Sequence, residues 1–203
     1  MKRAKRRWIP LVVLAVLAAG WIWRYVTFNA FYGSLHESVR YLYQMGEIMP
    51  LEDPRTENSK QVGGYSIRVD SFEIMDYQEF LDFASTTAGE LGMAPEKVAV
   101  ARVTIFNDNS LLDGISFYAL WLHGVDNYAT PNLSFIQAVN PILTQDSAGI
   151  SLKPGGEYEL ILPFPLLKSF FGMDTWNHIE DYHFYLCQID QIAERDIACW
   201  TQQ

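Results

Sequence analysis

Histidine supplies most metal and acid–base chemistry, and the segment NHIEDYH places His178 and His183 five residues apart with Glu180 and Asp181 between them. An interval of five faces opposite sides of a strand and turns about 140° on a helix, so neither geometry preforms a site. The i, i+4 pair of a zinc helix is missing. His123 closes an apolar run beside Gly124 and reads as a surface or turn residue, as does His36. No G-x-S-x-G motif occurs, and Cys187 sits among apolar and acidic neighbours that would not lower a thiol pKa. The turn DNSLLDG, with Asp108, Asn109 and Asp113, lacks the dense alternating oxygens of a calcium loop. Adjacent carboxylates such as Glu52-Asp53 and Glu180-Asp181 read as solvated edges. No catalytic residue, metal ligand or cofactor is assigned, and the chain reads as a non-enzyme.

Aromatic residues offer the better lead. Trp121 and Tyr128, with Phe171 and Trp176 from a later segment, form a candidate binding face, and KSFFGMDTW has too many polar and glycine breaks to be a wholly buried strand. Core packing is the competing role for these rings. Cys187 and Cys199 both fall near the end of the chain. On adjacent strands of a terminal hairpin they could be bridged, the alternative being two free buried thiols.

The elements that must position these residues are mostly strands. GYSIRVDSFEI alternates Tyr65, Ile67 and Val69 against Ser66, Arg68 and Asp70, the period-2 pattern of a half-buried strand beginning after Gly64. Tyr77, Phe80, Leu81 and Ala84 then fall at helical spacing behind Asp76, an acceptable N-cap. KVAVARVTIFN is rich in β-branched residues and reads as a central strand. ISFYALWLHG predicts a strand from Ile115 to His123, NLSFIQAVNP another, and GISLKPGGEYELILPFPL a strand, a turn at Pro154-Gly155 and a second strand. YHFYLCQID and DIACW predict the terminal hairpin. Residues 49–64, with two prolines and paired glycines, read as an exposed loop. The expected fold is mainly β: a two-sheet antiparallel sandwich of seven or eight strands with one short helix.

The N-terminus differs in kind. Six of the 15 basic residues and no acid lie in the first 24 positions, leaving nine basic against 24 acidic residues over the other 179, a net charge of −15. An uncharged run from Trp8 to Trp23 would make roughly 24 Å of helix, and Arg24 can snorkel so that Tyr25, Val26 and Phe28 lengthen it. Trp8 at one end and Trp21, Trp23 and Tyr25 at the other resemble interfacial belts, and the basic cluster keeps the N-terminus cytoplasmic. The expected organisation is a basic segment over 1–7, a transmembrane signal-anchor over 8–28, a stalk, first strand and loop over 29–63, and an extracytoplasmic sandwich over 64–203. Cleavage after Gly20 and secretion is the competing reading. An acidic exported surface repels nucleic acid and accommodates cationic or neutral partners more easily.

YQMGE at 43–47, GYSIRVDSFEI at 64–74 followed by Tyr77, Phe80 and Leu81, and LKPGGEYELILPF at 152–164 resemble, in this order and spacing, an uncharacterised family of bacterial membrane-anchored surface proteins catalogued as a domain of unknown function. The resemblance implies a signal-anchor, an immunoglobulin-like extracytoplasmic sandwich and a Gram-positive type of envelope, and it supplies no catalytic residues. The function expected is a non-enzymatic binding or interaction module of the envelope, its partner an unknown envelope protein or ligand. The alternatives are a small-ligand or glycan sensor using the aromatic loop, or an envelope hydrolase.

Overall fold

The structure, a computed structural model, describes residues 14, 16–26, 39–51, 64–108, 114–124, 127–143, 149–189 and 193–200. The basic segment 1–7, His36, most of the 49–64 loop and most of the DNSLLDG turn lie outside the described residues. Two compact units divide the chain, Met1–Val39 and Arg40–Gln203. In the first, residues 16–26 are helical with Trp21, Ile22 and Trp23 exposed. Among the described residues no helix is long and apolar enough to cross a membrane.

The second unit is mainly β. Strands β1 (Val39–Tyr43), β2 (Ile48–Leu51), β3 (Tyr65–Asp76), β4 (Lys97–Asn107), β5 (Ile115–Ser116), β6 (Leu120–His123), β7 (Tyr128–Ala129), β8 (Gly149–Ile150), β9 (Gly156–Leu166), β10 (Tyr185–Ile189) and β11 (Ala193–Ala198) form three sheets. A five-stranded sheet runs β1-β11-β10-β6-β7, a four-stranded sheet β2-β3-β4-β9, and β5 pairs with β8. Every pairing defined between described strands is antiparallel. The two larger sheets share one core: Ile67, Val69, Ala101, Val103, Ile105, Leu160 and Leu162 from one meet Leu120, Leu122, Leu186 and Ile197 from the other. Alternation along each strand produces this, because every second side chain points inward.

The opposite face of the four-stranded sheet is covered by helices, and here the expectation of one helix is corrected. Helix α1 (Tyr77–Ala84) stands where its spacing put it, but α2 (Ala88–Leu91) and α3 (Leu133–Val139) accompany it on that face, and α4 (Met173–Asn177) packs through Trp176 against the shared core. NLSFIQAVNP is helical because the Asn132 side chain accepts hydrogen bonds from the Ser134 and Phe135 amides, 3.0 and 3.5 Å, and caps the first turn. Phe135 then stacks on Phe80 of α1 at 5.2 Å in a second core with Met75, Val98 and Val100. At the C-terminal end of α3, Asn140 donates to the carbonyls of Ile136 and Ile161, each at 2.7 Å, and accepts from the Ile161 amide at 2.9 Å. It occupies the outer edge of β9 as a neighbouring strand would, which blunts an edge otherwise open to further pairing.

Two further expectations are corrected. The 49–64 loop opens with strand β2, where Met49 and Leu51 alternate inward, and Pro50 is tolerated because β2 is an edge strand. The strand expected over 115–123 is broken by a 3-10 turn, Phe117–Ala119, which buries Phe117. The Pro154-Gly155 turn is as expected: Gly155 has φ +71° and the Gly156 amide donates to the Lys153 carbonyl at 2.8 Å, the closure of a type II turn.

Candidate functional site

Strand parity decides what the outer face of the five-stranded sheet carries. Leu120, Leu122, Leu186 and Ile197 point to the core, so Trp121, His123, Tyr185, Cys187 and Asp196 point the other way. Cys187 lies opposite Trp121 on one side and Asp196 on the other, while His123 lies opposite Tyr185 and Tyr128. His123 reaches diagonally over β10 to place Nε2 3.0 Å from Asp196 Oδ1, and its Nδ1 is 2.9 Å from the Gly124 carbonyl oxygen. A carbonyl only accepts, so Nδ1 carries a proton and donates. The contact between Nε2 and the carboxylate then needs one more proton, on either partner, or a cation in its place. The imidazole is stacked between the rings of Tyr128 and Tyr185, at 5.7 and 5.3 Å.

His123, expected at the surface, is a mostly buried residue, its side chain 14% exposed, and Asp196 beneath it is fully buried. A ring nitrogen of His123, the thiol of Cys187 and a carboxylate oxygen of Asp196 all lie within 4.8 Å of one another. Nothing in the sequence spacing marks this trio, because its members are 64 and nine positions apart. The only signal was the strand periodicity that puts all three on one face. His178 and His183 belong to no such group among the described residues.

The aromatic quartet separates. Trp121 and Tyr128 meet edge to face at 5.9 Å on the outer face, where the Trp121 indole donates to the Tyr118 carbonyl at 2.9 Å and Tyr128 is exposed. Phe171 instead turns into the shared core against Phe184, 6.3 Å away, and Trp176 packs on it at 5.7 Å. Their segment caps the core, and Phe171 is drawn in by the apolar area it removes from water.

A groove opens at the margin of the shared core. It has a volume of about 780 Å³ and is walled by Phe72, Tyr182 and Trp200 and rimmed by Glu73, Glu180 and Asp181. Trp200 links the two places: His183 stacks on it at 4.3 Å, and Tyr185, the neighbour of His123, meets it edge-on at 4.7 Å. Glu180 is held by Lys97 at 2.9 Å, and Lys97 also donates to Asp76 at 2.7 Å. The bond to Asp76, then that to Glu180, keeps the Lys97 ammonium above its usual pKa. Gly124 has to be glycine here, since a Cβ at that position would collide with the Tyr182 ring that walls the groove.

The terminal hairpin forms as expected, but its cysteines are not bridged to one another and both are buried. Cys187 lies on the outer face and Cys199 in the shared core, so the pair sits on opposite sides of the sheet and the bridge gives way to two thiols. Burial in the core pushes the Cys199 thiol up from 9.0 to about 12. It donates instead to the Ile197 carbonyl at 3.7 Å.

Residues 40–189 match a family model described as a domain of unknown function, DUF5028, and Asp196, Cys199 and Trp200 lie beyond the matched stretch. Two solved structures align with the chain. The yjhA protein from Bacillus subtilis is 13% identical with a TM-score of 0.41, over 77% of this chain and 98% of that one. A functionally unknown protein from Listeria monocytogenes EGD-e is 12% identical with a TM-score of 0.41, over 70% of this chain and 78% of that one. No curated protein matches the chain.

Proposed function

The chain belongs to the DUF5028 family, and from the chemistry of its groove we propose that it is a non-enzymatic binding module of the bacterial envelope that takes a positively charged segment of a partner. The observation that carries this reading is the composition of the groove: aromatic walls from Phe72, Tyr182 and Trp200 under a rim of three carboxylates. Aromatic faces attract cations, and carboxylates at the rim steer and orient them. The net charge of −15 outside the first 24 residues acts in the same direction at longer range. In this reading the basic and apolar N-terminal segment holds the module at the membrane with its bulk outside, and the two sheets form an immunoglobulin-like sandwich. Sequence supports the location: Lys2, Arg3, Lys5, Arg6 and Arg7 precede the apolar run.

The test is a calorimetric titration of the full chain in detergent with a lysine-rich peptide and, separately, with a neutral oligosaccharide. The peptide is expected to bind with an affinity that falls as salt rises and is reduced by Glu73→Gln and Asp181→Asn. Salt-independent binding of the oligosaccharide alone would replace this reading with a glycan sensor, and no heat from either would remove the groove as the site.

A further inference from the structure

The geometry points to a second site on the outer face of the five-stranded sheet, a centre for one divalent, thiolate-tolerant metal ion such as zinc, held by His123, Cys187 and Asp196. None of the three lines the groove, so this inference stands apart from the binding proposal.

Four observations converge. First, the donors are an imidazole nitrogen, a thiol sulfur and a carboxylate oxygen, all within 4.8 Å of one another. This is a mixed set that suits zinc and disfavours magnesium or calcium, which take oxygen. Second, the imidazole is already oriented. Nδ1 donates to the Gly124 carbonyl at 2.9 Å, the outer contact that presents Nε2 of a ligating histidine to its metal. The flanking rings of Tyr128 and Tyr185 fix its plane.

Third, the spacing fits. Zinc lies about 2.0–2.2 Å from nitrogen or oxygen and about 2.3 Å from sulfur, which sets tetrahedral ligand atoms roughly 3.3–3.6 Å apart. The nitrogen and oxygen stand at 3.0 Å and the whole set within 4.8 Å, so closure on an ion needs shifts of about 1 Å or less. The three side chains rise from hydrogen-bonded neighbours β6, β10 and β11, which keeps them in register. Fourth, charge balances. A thiolate and a carboxylate offset a divalent ion, so a neutral centre forms where Cys187 and Asp196 are 2% and 0% exposed. Three protein ligands leave a fourth position for water or a donor from a ligand, unlike the closed four-ligand pattern of structural zinc sites.

The competing occupant is a single proton shared by His123 and Asp196, with no metal on the Cys187 sulfur. Cobalt separates the two. The full chain in detergent, stripped with a chelator and kept reduced, is titrated with Co²⁺ and then Zn²⁺. Expected are one Co²⁺ per chain, a thiolate-to-cobalt charge-transfer band, visible d–d bands of tetrahedral strength, and their loss on adding one equivalent of Zn²⁺. Cys187→Ser should abolish the charge-transfer band and Cys199→Ala should leave it. Asp196→Asn should weaken Zn²⁺ binding by more than the ~10–100-fold that loss of an outer-shell partner costs. Zinc-edge X-ray absorption of the unmutated chain needs no variant to fold, and should show one sulfur among nitrogen and oxygen ligands. A folded chain that gives no cobalt band, a band that survives Cys187→Ser, or a zinc shell with no sulfur or two sulfurs would overturn the site.

Discussion

Cys199 gives the sharpest test of how the terminal hairpin is seated. Its thiol ionises at an ordinary 9.0 when the chain is unfolded but only near 12 in the folded core, because burial opposes the thiolate. Between those values the unfolded chain gives up a proton that the folded chain keeps. The contribution of this thiol to stability is therefore constant below pH 8 and falls as pH rises from 9 towards 12. At pH 10 the unfolded thiol is about ten-elevenths ionised, which corresponds to a loss of about 1.4 kcal/mol relative to pH 8. The perturbation is Cys199→Ala. It lowers stability at every pH by leaving a small cavity, but it removes this pH-dependent part. The assay is urea unfolding of the full chain in mild detergent with reductant and chelator, followed by tryptophan fluorescence at pH 8 and pH 10. The unmutated chain should lose about 1.4 kcal/mol more over that interval than Cys199→Ala. Equal losses would mean that Cys199 is not seated in the core, and the placement of the last strand would have to be abandoned.

Asn140→Ala removes three hydrogen bonds and leaves the Ile161 amide and carbonyl at the edge of β9 without that partner; a loss of about 2–3 kcal/mol in urea unfolding is expected, with increased self-association from the exposed edge. A loss under about 0.5 kcal/mol would show that water replaces the side chain at no cost. Lys97 has its pKa raised by Asp76 and Glu180, so its contribution is complete below pH 10.5 and disappears as pH rises through the folded value above that. Its partners are largely exposed, so Lys97→Met should destabilise by only ~0.2–1 kcal/mol near neutrality and should flatten the stability profile above pH 10.5. An unchanged profile would remove the ion pairs.

What could be read beforehand was whatever depends on one element alone. The period-2 pattern of 65–69 and the β-branched run of 97–107 defined β3 and β4, and the latter is an interior strand of its sheet. Spacing behind Asp76 gave α1, and Pro154-Gly155 gave a turn whose chemistry is complete within four residues. Misreadings came where tertiary context outweighs local pattern. Leu133–Val139 is apolar enough for a strand, and only the Asn132 cap and the Phe135–Phe80 contact make it helical. The prolines of 49–64 hid a strand that survives because it pairs on one side. Trp121 and Tyr128 lie on adjacent strands and meet, whereas Phe171 and Trp176 belong to a segment whose turn into the core no local pattern shows. The His123, Cys187 and Asp196 trio was illegible for a different reason. It depends on β10 lying between β6 and β11, a pairing order that no spacing in the sequence encodes.

The binding proposal is tested most directly by placing a photocrosslinking residue at His183, on the groove, in the full chain in its own membrane, and identifying what it captures by mass spectrometry. The expected product is a crosslink to a lysine- or arginine-rich segment of one envelope partner, lost when Glu73 and Asp181 are neutralised. Capture that is unchanged by neutralising those carboxylates, or the absence of any crosslink from the groove while Tyr128 on the outer face captures a partner, would contradict it.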